Sequence, residues 1–498
     1  MSAAAWPRPR PRAADRQPLI APLRPLTRLR AQTDRLVPRG ALLLSALSIA
    51  YFAAGVVRNR VFAAEFGASA ELDAYNAAFR IPEIALDILV GAGLSAPFVP
   101  IFSRLLTSGS DPSATNDGEG PLRAEAFGQT VLTAAVGVIG VTLAVLFVAA
   151  PWVADTVWSS FDPPTRALYV ELVRINCLAQ LMFAASMTLG EVLVARRRFL
   201  FYGIAPVLYT TGIVVGAVLL GPALGITGAA WGAVGGAGAH LAARAIGVRR
   251  AGFRIRPRLR VRTPEFGEFL RLMLPRMLSY PIDPVVVTYL TRLATVIGVG
   301  TASALSFVLD YQFVPVQVIA IAFSLAAFPA LSTAFAADDG TAFRRLLVRN
   351  VATIAVLTSL AALALAVLAR PLVSILLGVG RFDAAAVTLT SGLLVAFAIS
   401  IPIDSLSYPL SRALYATHNT IWQVAASIAG LATLVLAAQA TVPAFGAAGI
   451  ALAYALGGAV KIAVLTIAVV PRARRVGALA SPASAPAVSP AGSSGSRR

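Results

Sequence analysis

The chain alternates long apolar runs with short polar segments that carry most of its arginines. The runs centre on 41–62, 75–102, 128–153, 167–194, 201–221, 226–245, 270–292, 303–330, 350–377, 387–412, 420–440 and 446–470. Each is near the roughly 20 residues that a helix needs to cross a bilayer. They are continuous rather than alternating, which argues against a membrane β-barrel. The pattern predicts an all-α polytopic membrane protein of about 12 transmembrane helices. The second, fourth and eighth runs are long enough to be tilted or broken. Before the first run, residues 1–39 are rich in Pro and Arg and read as a disordered basic cytoplasmic arm without the apolar core of a signal peptide. After the last, residues 476–498 read as a low-complexity, disordered tail.

Composition agrees with the pattern: 57% of residues are hydrophobic and 13% charged, against about a quarter charged in soluble proteins. One cysteine, Cys177, excludes an intramolecular disulfide and a thiolate metal cluster. The two histidines, His240 and His418, are far apart, so no metal site is expected, and no cofactor either. The net charge of +19 is almost wholly arginine; Lys461 is the single lysine. A nucleic-acid role is disfavoured because the arginines flank the apolar spans. They gather in the arm, at Arg196–Arg198, at seven positions from Arg249 to Arg262, at Arg344, Arg345 and Arg349, and at Arg472, Arg474 and Arg475. By the positive-inside rule these segments and both termini are cytoplasmic.

The halves resemble each other. LGITGAAWGAVGGAGAH (224–240) aligns with FGAAGIALAYALGGAVK (445–461) at a constant offset of 221 (446−225, 461−240). LSAPFVPIFS (94–103) similarly aligns with FSLAAFPALS (323–332). Six spans per half put both halves into the membrane the same way, as a parallel repeat. The expected organisation is an N-terminal six-helix lobe at 40–248, a basic cytoplasmic loop at 249–264 and a C-terminal six-helix lobe at 265–475. Such pseudo-symmetric bundles rock around a central cavity. The glycines of spans six and twelve are expected to serve close helix packing.

Charges inside the spans are the candidate chemistry. DAYNAAFRIPEIALDILVG (73–91) holds Asp73, Arg80 and Asp87 at intervals of seven, with Glu83 and Pro82 beside them. A charge at mid-bilayer costs roughly 2.5–3.5 kcal/mol on insertion scales. This alternating stripe should therefore face a cavity or a polar helix, and Pro82 leaves a carbonyl free there. A structural salt-bridge network is the competing explanation. Arg58, Arg276, Asp283 and Asp310 have similar status, and Asp310 and Asp404 are candidates for ion coupling. Arg60 reads as snorkelling to the interface; Arg174 and Lys461 read as isolated and structural. A cavity of both signs suits a charged amphiphile, or transport coupled to a cation or proton.

At GVVRNRVFAAEFGASAELDAYNAAFRIPE…GAGLSAPFVPIFS the chain resembles the MurJ (MviN) family of lipid II flippases, in the multidrug/oligosaccharidyl-lipid/polysaccharide (MOP) exporter superfamily. Gly55, Arg58, Phe66-Gly67, Asp73-Ala74-Tyr75, Phe79-Arg80-Ile81-Pro82 and Gly91–Pro100 carry the likeness; FPALS (328–332), VGRF (379–382) and RALYATHNT (412–420) extend it. The resemblance implies a V-shaped, MATE-like two-lobe fold in the bacterial cytoplasmic membrane. It implies flipping of a polyprenyl-pyrophosphate-linked peptidoglycan precursor, lipid II, with arginines holding the diphosphate. Arg58 and Asp73 match family positions. The chain departs at Asn59, Phe52, Leu86 and Asp310, where the family has one acidic residue and three arginines; many members also carry two further C-terminal helices. The alternatives are an exporter of another polyprenyl-linked glycan or a drug/cation antiporter. No constellation of nucleophile, base and metal ligand suggests an enzyme. No GxxxxGK[ST] loop suggests nucleotide use, which leaves an ion gradient or the membrane potential as the energy source.

Overall fold

A computed structural model describes residues 39–88, 94–108, 119–277, 282–417, 419 and 421–476. Most of the expected arm and tail, His418 and the side chain of Arg276 lie outside the described residues. The described residues are mostly helical, with no strand among them. The N-terminal lobe holds α1 (Arg39–Phe66), α2 (Ala70–Leu86), α3 (Ser95–Thr107), α4 (Glu119–Val157), α5 (Pro163–Ala195), α6 (Phe199–Leu219) and α7 (Ile226–Arg250). After α8 (Pro264–Met277) come α9 (Ile282–Ile297), α10 (Thr301–Pro315), α11 (Ala322–Ala336), α12 (Gly340–Leu377), α13 (Ala384–Ala398), α14 (Ser400–Ala416), α15 (Ile421–Phe445) and α16 (Ala447–Arg475).

Each expected span falls on one helix or on two pieces of one. Among the described residues, eight helices are long and apolar enough to cross a membrane, and a ninth span forms if α13 and α14, bent by 43°, are taken together. Span two is two pieces, α2 and α3, and span seven is α8 and α9. The eighth run passes from α10 to α11 through a π-helical stretch, Val316–Ile321, directly after Pro315. Proline there removes an intrahelical donor and widens the turn. The fourth run, long enough to be tilted or broken, is the continuous helix α5.

The repeat survives as contacts. In the N-terminal lobe a Cβ on Gly236 would meet the Tyr209 carbonyl oxygen, and one on Gly228 would meet the Leu220 backbone. Adding 221 to each number gives Gly457 against the Gly430 carbonyl oxygen and Gly449 against the Thr441 carbonyl oxygen, and both contacts are present. The pairs α6/α7 and α15/α16 therefore pack backbone to backbone in the same register. Lipid tails give no hydrophobic drive between helices, so van der Waals contact at small residues holds such pairs.

The lobes meet at one end, which carries the turns near 67, 300 and 380. Gly67, Gly300 and Gly380 all have φ between 58° and 82°, and a Cβ on each would strike a carbonyl oxygen of the opposite lobe: Arg381, Ala68 and Ala64. Arg381 N–H donates to Ala64 O (2.9 Å), and the Arg60 guanidinium to Ile375 O (2.6 Å). Here one apolar core runs through both lobes, from Phe62 and Tyr75 to Phe307 and Phe382. At the opposite, arginine-bearing end the C-terminal helices have a separate cluster around Leu331, Phe343, Leu414 and Leu465. The molecule is thus joined at one end and divided at the other. At the divided end α8 packs on α3 and α4, while α9 packs on α2, α10, α15 and α16. Arg104 on α3 bridges Glu268 on α8, and Arg123 on α4 bridges Glu265.

Candidate transport cavity between the lobes

Between the lobes lies a cavity of about 880 Å³, lined from both sides. α1 contributes Tyr51, Phe52, Arg58 and Asn59; α2 contributes Arg80; the C-terminal helices contribute Asp283, Asp310, Asp404, Arg412 and Lys461. Among the described residues four cations face three carboxylates, so the lining is mixed in sign.

Arg58 and Asp310 tie the lobes at the roof of this cavity. The guanidinium donates to Asp310 Oδ2 at 2.9 Å and to Asn59 Oδ1 at 2.9 Å, and Asn59 Nδ2 donates to the same Asp310 oxygen at 3.0 Å. Position 59, where the family resemblance would put an acidic residue, is here an amide. It lets one carboxylate, from the other lobe, serve both side chains. Arg58 is 30% exposed and Asp310 44%, so the bridge is open to the cavity rather than sealed.

Asp73 is not in the cavity. It sits about two turns nearer the joined end, where its carboxylate accepts from Gly300 N–H (2.6 Å), Ser303 N–H (2.6 Å) and Ser303 Oγ–H (2.5 Å). Two of these are orphan donors at the start of α10, so Asp73 caps a helix of the opposite lobe. The seven-residue spacing to Arg80 placed both on one side of α2. It could not show that the lobes close over the outer part of that side.

Arg80 lines the cavity, and its Nε is buried without a hydrogen-bond partner. Glu83 and Asp87 do not line it; Glu83 lies where Arg80, Asp87, Arg58 and Asp310 all act on it electrostatically. Asp87 falls in a wide turn at the end of α2, where its N–H donates back to the carbonyls of Glu83 and Ile84. The expected stripe therefore divides into a cap (Asp73), a cavity cation (Arg80) and flanking acids (Glu83, Asp87).

On the C-terminal side, Lys461 Nζ donates to Asp283 Oδ1 at 3.4 Å. Tyr454 Oη–H donates to Asp404 Oδ2 at 2.5 Å. Sequence reasoning left Lys461 isolated and missed Tyr454 and Arg412. A signal was present: the only lysine of the chain occupies the repeat position of His240, which in the N-terminal lobe is buried against Ser186 Oγ at 2.7 Å. Among the described residues no group of His, Cys, Asp and Glu could hold a metal ion.

Comparison with known proteins agrees with this geometry. The fold is similar to the solved "Lipid II flippase MurJ, inward closed conformation", with a TM-score of 0.72 over 88% of this chain and 90% of that one at 18% identity. It is also similar to an inward-facing multidrug resistance MATE transporter of the MOP superfamily, with a TM-score of 0.67 over 86% and 96% at 13% identity. In sequence it is 25% identical to the lipid II flippase MurJ of Burkholderia cenocepacia over 84% of this chain and 81% of that protein. It is 26% identical to the probable lipid II flippase MurJ of Rhizobium meliloti over 82% and 76%. The family profile "Lipid II flippase MurJ" matches residues 62–483. The chain is a multi-pass membrane protein and belongs to the lipid II flippase MurJ family.

Proposed function

We propose that this protein moves a polyprenyl-diphosphate-linked peptidoglycan precursor, lipid II, across the bacterial cytoplasmic membrane by alternating access of its two lobes. The observation that carries the reading is the cavity: it is closed at the joined end, and both lobes place cations in it. Its volume falls in the ~300–1,000 Å³ range of ligand sites. It can hold a charged head while a polyprenyl tail stays in lipid. The arginine-bearing end faces the cytoplasm under the positive-inside rule, with both termini there, and the divided side faces the leaflet where the cargo is made.

Arg58 and Arg80 are the cations placed to meet the diphosphate, which guanidinium binds through paired, charge-assisted hydrogen bonds. Arg58 is already held by Asp310. A phosphate that takes Arg58 displaces Asp310, and so loosens the cavity-facing tie between the lobes. Binding thereby gains differential affinity for a state in which the lobes have parted, which any ligand-driven shift requires. Arg276 belongs with these cations as an expectation from sequence. The protein acts by transport and not by catalysis.

The mixed lining favours a second reading, an exporter of another polyprenyl-linked glycan. Complementation separates the two. The parent, expressed in cells depleted of their native flippase, is expected to restore lipid II on the outer leaflet, and Arg58→Ala at equal membrane abundance is expected not to. No rescue by a well-expressed parent would favour the other cargo.

A further inference from the structure

In the C-terminal lobe two carboxylates from separate elements converge, Asp283 on α9 and Asp404 on α14, and Lys461 on α16 stands with them. Asp283 is held at 3.4 Å by Lys461 Nζ; Asp404 is held by the Tyr454 hydroxyl and lies within the electrostatic reach of both Asp283 and Lys461. This is the only lysine in 498 residues, and it sits inside a transmembrane helix. The neighbouring helix makes room for it: Gly430 on α15 faces the Lys461 stem, and a Cβ there would lie 3.2 Å from the Lys461 Cβ. The partners of this ion pair differ in access: the Asp283 side chain is 78% exposed, whereas that of Lys461 is only 16% exposed. A lysine ammonium is a compact point charge on a flexible stem, unlike the planar fork of arginine. It is the side chain closest in charge and shape to a monovalent metal ion.

We propose that Lys461 is a tethered counter-cation for Asp283 and Asp404, filling the place that a diffusible monovalent cation would otherwise occupy, so that this lobe works without an inorganic co-ion. The inference rests on the transporter reading above. It deepens that reading by removing Asp404 from ion coupling. Asp310, the other acid expected to couple an ion, is already paired with Arg58. Both acids expected to take an ion thus have a partner built into the chain. The protein shares its fold with MATE-type exporters, and Lys461 makes it specific for the cargo alone.

The test uses purified full-length protein and needs no cargo, so its failure is distinct from failure of the flippase reading. Thermal unfolding is followed in sodium, potassium, lithium or choline chloride at one ionic strength. The parent should melt at the same temperature in all four. Lys461→Met should acquire a saturable stabilisation by sodium or potassium over choline, because a cation bound to the folded state raises the melting point by mass action. Lys461→Gln should do the same, whereas Lys461→Arg should stay insensitive. Adding Asp283→Asn to Lys461→Met should abolish the response. A variant that survives purification only with sodium or potassium present also supports the proposal. A saturable sodium or potassium response of the parent overturns it. So does a folded Lys461→Met with no cation response, or a variant that unfolds in every salt, since the site would then not accept a free cation in place of the lysine.

Discussion

Asp73 shows how much one side chain can carry between the lobes. It takes three donors from the opposite lobe, all buried, and two of them belong to the first turn of α10. Leaving a buried donor unsatisfied costs about 1–3 kcal/mol. Asp73→Ala should therefore lower the melting temperature and also weaken the joined end. The second effect is measurable separately, because Cys177 is buried and a cysteine introduced at Arg381 would be the only accessible thiol among the described residues. Labelling of Arg381→Cys by a membrane-impermeant maleimide should speed up when Asp73→Ala is added. An unchanged rate would show that the cap stabilises α10 without holding the lobes shut. Arg58 and Asp310 should behave asymmetrically. Arg58→Ala removes a proposed phosphate ligand and abolishes flipping. Asp310→Asn keeps that ligand and frees it, so flipping in the complementation assay should persist. The arginines were legible in the sequence because a charge inside a span demands a polar surrounding. The role of Asp73 was not, because its partners lie 227 and 230 residues away. Spacing along α2 says nothing about which other helix covers it.

At the scale of elements, apolar run length located the spans, and Pro315 directly precedes the π-helical stretch of the eighth run. Pairing could be read only where the repeat supplied a second copy, as for α6/α7 and α15/α16. In those pairs the backbones touch. Gly216→Ala places a methyl against Gly232 Cα, whereas Gly235, on the same α7, has nothing within 4 Å of an added Cβ. Overpacking typically costs about 1–3 kcal/mol. Gly216→Ala should thus melt several degrees below the parent, and Gly235→Ala should match it or rise slightly, since alanine is the better helix former. Equal effects in a thermal-shift series would remove the packing argument. What the sequence could not show is that α8, next in line to the C-terminal lobe, packs on α3 and α4. The Arg104–Glu268 pair marks that contact, and the bond from Arg104 holds the Glu268 carboxyl below its ordinary value. A carboxyl depressed in the folded state stabilises fully above the unfolded pKa, about 4.3. That contribution disappears as pH falls from there through the folded value. The protection of the α8 amides, taken relative to their intrinsic exchange rates at each pH, should accordingly fall below about pH 4.3 and with added salt, and the acid response should vanish in Glu268→Gln.

For the whole molecule, the joined end and the divided end make opposite demands on any transport cycle. To deliver a head group to the far side, the molecule must break the backbone bond from Arg381 to Ala64, the Asp73 cap and the Arg58–Asp310 bridge, and it must gather the separate apolar clusters at the divided end. The glycines at the joined end make that closure tight: with a left-handed φ and a carbonyl of the other lobe against each, they admit no side chain that could prop the lobes apart. The α3–α8 contact makes no such demand, because α8, which ends at Met277, packs on α3 and α4 and can travel with the N-terminal lobe, whereas α9, from Ile282, packs on α10, α15 and α16 as well as α2. Two cysteine pairs distinguish these roles. A thiol cross-link between Ala64→Cys and Arg381→Cys should stop flipping, and reductant should restore it. A cross-link between Arg104→Cys and Glu268→Cys should leave flipping near the parent rate. If the second pair also stops transport, α8 must part from α3 in each cycle, and the moving boundary lies before α8. If the first pair fails to stop transport, the joined end does not open, and the cargo must cross by a path that the cavity between the lobes does not describe.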